Sequence, residues 1–283
     1  MVYDSDFREA AAAAVDTAYN LTAKGADTPG AFIVPTTASR ITGLKFYVSG
    51  IVTDVVMGAI TEFHISGSGV KIPNGWFAGP MISVSGAAAT SGGFEYRDGM
   101  QYKTNIPVSP GGTFNIEGFI IGEDIGTAHL LAEVEYDGVP GKITDADVRD
   151  DAIGAAANTP VALTSRGAAV VEGDFRPTGT IIEVIFGAAL DPTGDAANGL
   201  NWCPALQLTG PGLMNAGNYS FLGPAGPTQP DTDVSGNQQC INNPSRKICN
   251  IATKAGNSTI RPMAQNIESI NPGQAVCCLC YGS

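Results

Sequence analysis

The chain has 283 residues, enough for two domains of about 140 residues that each bury a core. Its 27 acidic and 15 basic side chains leave a net charge of −12, which repels phosphate backbones and argues against direct nucleic-acid binding. Only 15% of residues are charged, and 36 glycines with 18 prolines interrupt the text too often for long helices, which favours a turn-rich sheet protein.

The chain opens on DSDFREAAAAAVDTAYN, which reads as a short helix from Asp4 to Asp16. Asp4, Ser5 and Asp6 offer N-cap oxygens, and Phe7, Ala11 and Val15 share one face. Strand-like runs separated by Gly, Pro and Ser follow: Tyr19–Ala23, Ala31–Pro35, Ile41–Ser49, Ala59–Ser66, Phe77–Ser85, Phe94–Ile106, Thr113–Ile121 and Ala128–Tyr136. Several alternate with period two, such as Leu44, Phe46 and Val48 against Lys45, Tyr47 and Ser49, as half-buried antiparallel strands do. A longer loop is expected at Gly86 to Gly99.

At Asp145 the opening phrase returns as DADVRDDAIGAAANTPVALTSRG. Asp4, Asp6, Phe7, Arg8 and Glu9 meet Asp145, Asp147, Val148, Arg149 and Asp150, and Lys24 and Gly25 meet Arg166 and Gly167. RITGLKFYVSG from Arg40 lies over TIIEVIFGA from Thr180, HISGSGV from His64 over QLTGPGL from Gln207, and Tyr136 over Tyr281. The matches keep their order at offsets of 140 to 146, so the text predicts a tandem duplicate, 1–141 and 142–283, with a second leading helix from Asp145 to Ala157. A long loop is expected at Asn215 to Lys247. Eight short antiparallel strands per copy are the inventory of a jelly roll, with an immunoglobulin-like sandwich as the alternative; the expected class is all-β, two tandem eight-stranded jelly rolls, each preceded by a short helix.

No set of residues points to catalysis, a cofactor or a metal. The two histidines, His64 and His129, lie on expected strands of the first copy and have no histidine counterpart in the second. A paired-barrel metal enzyme needs more histidines than that. All six cysteines follow residue 202, and CINNPSRKIC brings Cys240 and Cys249 around a turn that could close as a disulfide; the other readings are buried free thiols and a zinc site from Cys240, Cys249, Cys278 and Cys280, among which no CxxC knuckle occurs. In CCLC, alternation puts Cys278 and Cys280 on one face and Cys277 on the other.

The duplicated layout, VPTTASRITGLKFYVSG against RPTGTIIEVIFGAAL, and the paired closing runs AHLLAEVEY and AVCCLCY resemble the double jelly-roll major capsid proteins of membrane-containing icosahedral viruses of bacteria and archaea. The resemblance covers the whole chain and implies a structural virion protein with no enzymatic activity. It implies homotrimeric, pseudo-hexagonal capsomers, lattice and vertex proteins as partners, an inner lipid membrane reached through minor proteins, and synthesis in the host cytoplasm. Under it, Arg8 and Arg149 are candidates for bridging to a neighbouring barrel or subunit. The competing expectation is a two-domain β-sandwich that binds carbohydrate or works at a cell surface, which calls for an exposed aromatic platform; Trp76 and Trp202 are the tryptophans available.

Overall fold

The computed structural model describes residues 3–27, 29–50, 56–85, 99–122, 128–153, 157–168, 170–190, 200–202, 204–215, 219–223, 226–228, 244–254, 256, 258–267 and 273–282. Their regular structure is all β, with no helix among the described residues. Sixteen strands carry the architecture. In the first half they are β1 (Asp4–Ala12), β2 (Tyr19–Asn20), β3 (Arg40–Gly50), β4 (Val56–Ser66), β5 (Trp76–Ser85), β6 (Met100–Pro107), β7 (Thr113–Ile121) and β8 (Ala128–Tyr136). In the second they are β9 (Ile143–Ile153), β10 (Val161–Ala162), β11 (Thr180–Leu190), β12 (Pro204–Thr209), β13 (Tyr219–Leu222), β14 (Ser245–Ile251), β15 (Arg261–Asn266) and β16 (Gly273–Gly282). Two- and three-residue strands at Phe32–Ile33, Ser165–Arg166, Val170–Val171, Leu200–Trp202 and Gly226–Thr228 complete the set. The segments expected as long loops, Gly86 to Gly99 and Asn215 to Lys247, fall largely outside the described residues.

The two expected helices are strands. β1 pairs along its length with β8, from Asp4 opposite Tyr136 to Ala12 opposite Ala128, and β9 pairs with β16 from Asp145 opposite Tyr281 to Ile153 opposite Gly273. A spacing of four residues shares a face on a strand as well as on a helix, so Phe7 with Ala11 and Val148 with Ala152 could not separate the two. Ladder bonding and burial then override the helix propensity of alanine. The aspartates read as caps bond the next N–H along their own strand. Asp4 Oδ1 accepts from Ser5 N at 2.8 Å, Asp6 Oδ1 from Phe7 N at 2.9 Å, Asp147 Oδ1 from Val148 N at 3.0 Å, and Asp151 Oδ1 from Ala152 N at 2.9 Å. Each carboxylate satisfies a strand N–H that the ladder leaves open. The eight strands of the first half are therefore not the eight runs expected: β1 enters, and Ala31–Pro35 contributes only Phe32–Ile33, paired to β7.

In the first half the strand orders are β1-β8-β3-β6 and β2-β7-β4-β5. The second half repeats them eight strands later, as β9-β16-β11-β14 and β10-β15-β12-β13. The registers repeat too. Leu44 faces Val134 as Val184 faces Leu279, and Phe7 faces Glu133 as Val148 faces Cys278. The bulge in β3 between Ile41 and Gly43 recurs in β11 between Ile181 and Glu183. The SGSG and TGPG matches mark one tight turn in two copies: Gly67 and Gly210 take φ of +133° and +121°, and a Cβ would stand 2.7 Å from Phe114 Cα in one and 2.6 Å from the Thr259 carbonyl oxygen in the other.

The halves join through one continuous sheet. β6 of the first half meets β9 of the second in parallel at Thr104 and Ile143, giving the order β1-β8-β3-β6-β9-β16-β11-β14. The first core is built on Phe46, Phe63, Phe77 and Tyr102, all fully buried, with the Phe46 and Phe63 rings stacked at 4.4 Å and the Tyr102 hydroxyl donating to the Ala78 carbonyl at 2.5 Å. Burying side chains of this size contributes about 1.5–3 kcal/mol each. On β16, Ala275, Cys277, Leu279 and Tyr281 line the second core, while Val276, Cys278 and Cys280 face the other way and pack with the first half. The central strand of the second half is thus buried on both faces.

Candidate functional site: the repeated strand faces

Arg8 and Arg149 occupy the same place in the two halves and make the same bonds. In each, the D-x-R spacing of a strand puts aspartate and arginine on one face. Arg8 Nη1 donates to Asp6 Oδ1 at 2.6 Å and to the Phe7 carbonyl, its Nε donates to the Gly30 carbonyl at 3.1 Å, and its guanidinium lies 4.8 Å from the centre of the Phe32 ring. Arg149 Nη1 donates to Asp147 Oδ1 at 2.8 Å and to the Val148 carbonyl, its Nε donates to the Gly173 carbonyl at 2.6 Å, and its guanidinium lies 4.8 Å from the centre of the Phe175 ring. Both side chains are buried, at 5% and 3% exposure, and all these bonds stay inside the arginine's own half. A second cation completes each cluster: Lys24 reaches Asp6 at 2.9 Å and Arg166 reaches Asp147 at 2.5 Å. Burial pushes the Asp6 carboxyl up, but the bonds from Arg8 and Lys24 outweigh it and hold it below its ordinary value.

The two repeated ladders differ in what covers them, both near the start of the strand, at Asp4 or Asp145, and on the opposite face, that of Phe7 or Val148. In the second half, Asp145 is 2% exposed and receives the turn before β5: Oδ1 accepts from Asn74 N at 3.0 Å and Gly75 N at 3.1 Å, and Oδ2 from Asn74 Nδ2 and Thr178 Oγ1, both at 2.8 Å. Burial pushes the Asp145 carboxyl up against these bonds. Farther along, Arg246 of β14 pairs with both oxygens of Glu183, at 2.7 and 2.8 Å, lies 5.0 Å from the Tyr102 ring centre and donates to the Gln101 carbonyl, tying the second half to β6. In the first half the matching face of β1, β8 and β3 is open. It carries a groove of about 410 Å³ lined by Ser5, Phe7, Tyr47, Ser49, Leu131 and Glu133, with Phe7 40% exposed. Where the covered face has Val148, Cys278, Cys280 and Ile185, the open face has Phe7, Glu133, Glu135 and Lys45, and Lys45 bridges Glu133 at 3.2 Å and Glu135 at 2.7 Å.

The remaining candidates are dispersed. His64 stacks on Trp76 at 4.5 Å and faces Glu117 at 3.4 Å; His129 faces Glu9 at 3.6 Å on another sheet. Burial pulls the His64 imidazole below its ordinary value. Trp76 also has the Arg166 guanidinium 5.4 Å from its ring centre and Phe119 at 5.1 Å, so its ring is occupied by protein. The Trp202 side chain lies outside the described residues. Cys249 is a free thiol, 3.5 Å from the Ile181 carbonyl oxygen, and its expected partner Cys240 lies outside the described residues. Among the described residues no group of three or more His, Cys, Asp and Glu is arranged to hold a metal ion. Sequence reasoning missed the buried carboxyl pair of Glu62 and Asp150 and the Asp145 contact, because both join residues of different halves and no local pattern announces them.

No protein-family model matches the chain, and no curated protein matches it in sequence.

Proposed function

We propose that the chain is a structural virion protein, a double jelly-roll major capsid protein with domains 1–141 and 142–283, that assembles as a pseudo-hexagonal homotrimer in an icosahedral shell. The observation that carries this reading is at the ends of the long sheet. Inside the chain, β6 meets β9; the strands at the two ends, β14 and β1, are their counterparts in the other half. The junction made once within the chain can therefore be made again between β14 of one copy and β1 of the next. Such a head-to-tail contact either closes a ring or grows a filament, and a ring of six similar barrels takes three chains.

Two further observations support the reading. Rolling up one long antiparallel hairpin pairs the first strand with the eighth, the second with the seventh, the third with the sixth and the fourth with the fifth, which are the neighbours found in both halves. The open face of β1, β8 and β3 stands where the covered face of β9, β16 and β11 stands, so a second copy can cover it as the first half covers its partner. Asp4 and Lys24 then meet the neighbouring copy in the positions where Asp145 and Arg166 meet the first half. Vertex proteins and an inner membrane are the further partners that this assignment brings. The occupied ring of Trp76 weighs against a carbohydrate-binding platform at that residue.

The test is the native mass and outline of the purified protein. A trimer with a hexagonal outline in electron micrographs supports the assignment, and Phe7→Asp should leave a folded monomer that no longer trimerises. A two-fold dimer, or a monomer that stays monomeric at high concentration, overturns it.

A further inference from the structure

We propose that Glu62 and Asp150 form a proton-sharing latch that holds the two halves of the chain together and loosens as the pH rises. Glu62 lies on β4 of the first half and Asp150 on β9 of the second, at 0% and 1% exposure. One oxygen of each is satisfied: Glu62 Oε2 accepts from Gly167 N at 2.8 Å, and Asp150 Oδ1 accepts from Gln274 Nε2 at 3.0 Å. The other two, Glu62 Oε1 and Asp150 Oδ2, have no hydrogen-bond partner, and the two carboxyls lie close enough for each to act on the other's charge. Two bare carboxylate oxygens repel; a proton between them turns the contact into a short, charge-assisted hydrogen bond. The pair is thus complete only while it keeps at least one proton.

Among the described ion pairs, none brings a cation to either carboxyl, and the nearby Arg149 and Arg166 are both paired with Asp147. Asp151 of β9 and Asp16 from the turn after β1 act on Asp150, and Cys278 of β16 acts on Glu62. Ser165 faces Asp150 across the strand pair, and Arg166 turns its guanidinium to Asp147 and Trp76. Burial pushes Asp150 up to about 7, and burial together with the charge of Asp150 pushes Glu62 well above the ordinary carboxyl range. Separated and hydrated, both would titrate near ~4. The joined state therefore binds more protons than the separated one, so its advantage is full below about pH 4 and declines as the pH rises, by linkage. From about pH 7 upward one proton remains at stake, and each pH unit lowers the population ratio of joined to separated about tenfold.

The Gly167 amide, donated to Glu62 itself, reports the latch through hydrogen exchange. In the wild-type chain its protection factor should fall about tenfold per unit between pH 7 and 9, beyond the rise in intrinsic exchange. Glu62→Gln supplies an amide donor to Asp150 that needs no titrating proton, so its protection should stay flat over that window. Asp150→Asn, donating to Glu62, should flatten it likewise and serves if the first variant does not fold. Infrared spectroscopy of the wild type at pH 7.5 should show a protonated-carboxyl band that Glu62→Gln lacks. A flat wild-type profile, the same slope in both variants, or no protonated-carboxyl band in the wild type would each overturn the latch. These readouts are made on the isolated chain and are independent of whether it forms capsomers.

Discussion

Asp4 and Asp145 hold the same ladder position, opposite Tyr136 and Tyr281, and have opposite surroundings. Asp145 is buried under the turn at Asn74 and Gly75, whereas Asp4 is exposed and accepts only the N–H of Ser5 among its described bonds. Asp145→Ala strands the donors of Asn74, Gly75 and Thr178 in a dry interface and should cost about 3 kcal/mol. Asp4→Ala should change the stability of the isolated chain by no more than about 0.5 kcal/mol. Urea denaturation of the two variants checks the difference; equal losses would mean that the turn finds other acceptors.

The two arginine clusters should differ in cost. Asp147 is almost fully buried while the Asp6 side chain is 23% exposed, so removing the arginine leaves Asp147 with Arg166 alone and no water to share its charge, whereas Asp6 keeps both Lys24 and water. Arg149→Ala should cost about 3–5 kcal/mol. Arg8→Ala should cost less, about 1–2 kcal/mol, because water and Lys24 can still serve Asp6. Lysine at either position should recover only part, since an ammonium cannot bond aspartate and glycine carbonyl from a planar fork while lying over a phenylalanine ring. Thermal melts of the four variants test the order.

Two close approaches are sharp enough to test by adding one carbon. Gly141, in the link between the halves, would place a Cβ 2.0 Å from the Lys103 carbonyl oxygen, at the strand that meets β9. Gly141→Ala should therefore loosen the β6–β9 junction, read as faster amide exchange at Gly141, whose N–H donates to Thr104 O at 2.8 Å. Gly210→Ala combines a positive φ with a backbone clash and should cost more than about 2 kcal/mol, with Gly67→Ala close to it because the turn is the same.

Acid should act on the first half through Asp137. Burial pushes its carboxyl up, but the hydroxyl and N–H of Ser39 and the N–H of Arg40 outweigh it and hold it below the ordinary value. Its folded value is depressed, so its contribution is present above the unfolded pKa of ~3.9 and is lost as the pH falls through the folded value. Asp145 has the opposite sign: raised by burial, its titration favours the folded state at low pH and disfavours it as the pH climbs. Asp137→Asn should flatten the stability profile below pH 4, and Asp145→Asn should flatten it above. Denaturant midpoints measured from pH 2 to 9 would show both.

Much of the layout was legible because the duplicate text marks equal ladder positions. Ile41 and Ile181 face Tyr136 and Tyr281, and the glycines of SGSG and TGPG fall at one turn. The alternation in CCLC also placed Cys277 opposite in sense to Cys278 and Cys280. The opening phrase misled because a four-residue spacing satisfies both periods and alanine favours a helix, whereas the pairing of β1 with β8 is decided some 120 residues away. The Glu62–Asp150 pair was invisible for the same reason: its two members are local in neither sequence nor sheet, and only packing of the two halves brings them together.

Within each half, the strand at the centre of the ladder is the last to be synthesised. β8 separates β1 from β3, and β16 separates β9 from β11. On the ribosome, the early strands of each half must therefore wait without their ladder neighbour until Ala128–Tyr136, and later Gly273–Gly282, emerge. In the finished fold, aspartates cover open N–H groups of β1 and β9, so these strands leave fewer free donors for another chain to pair with.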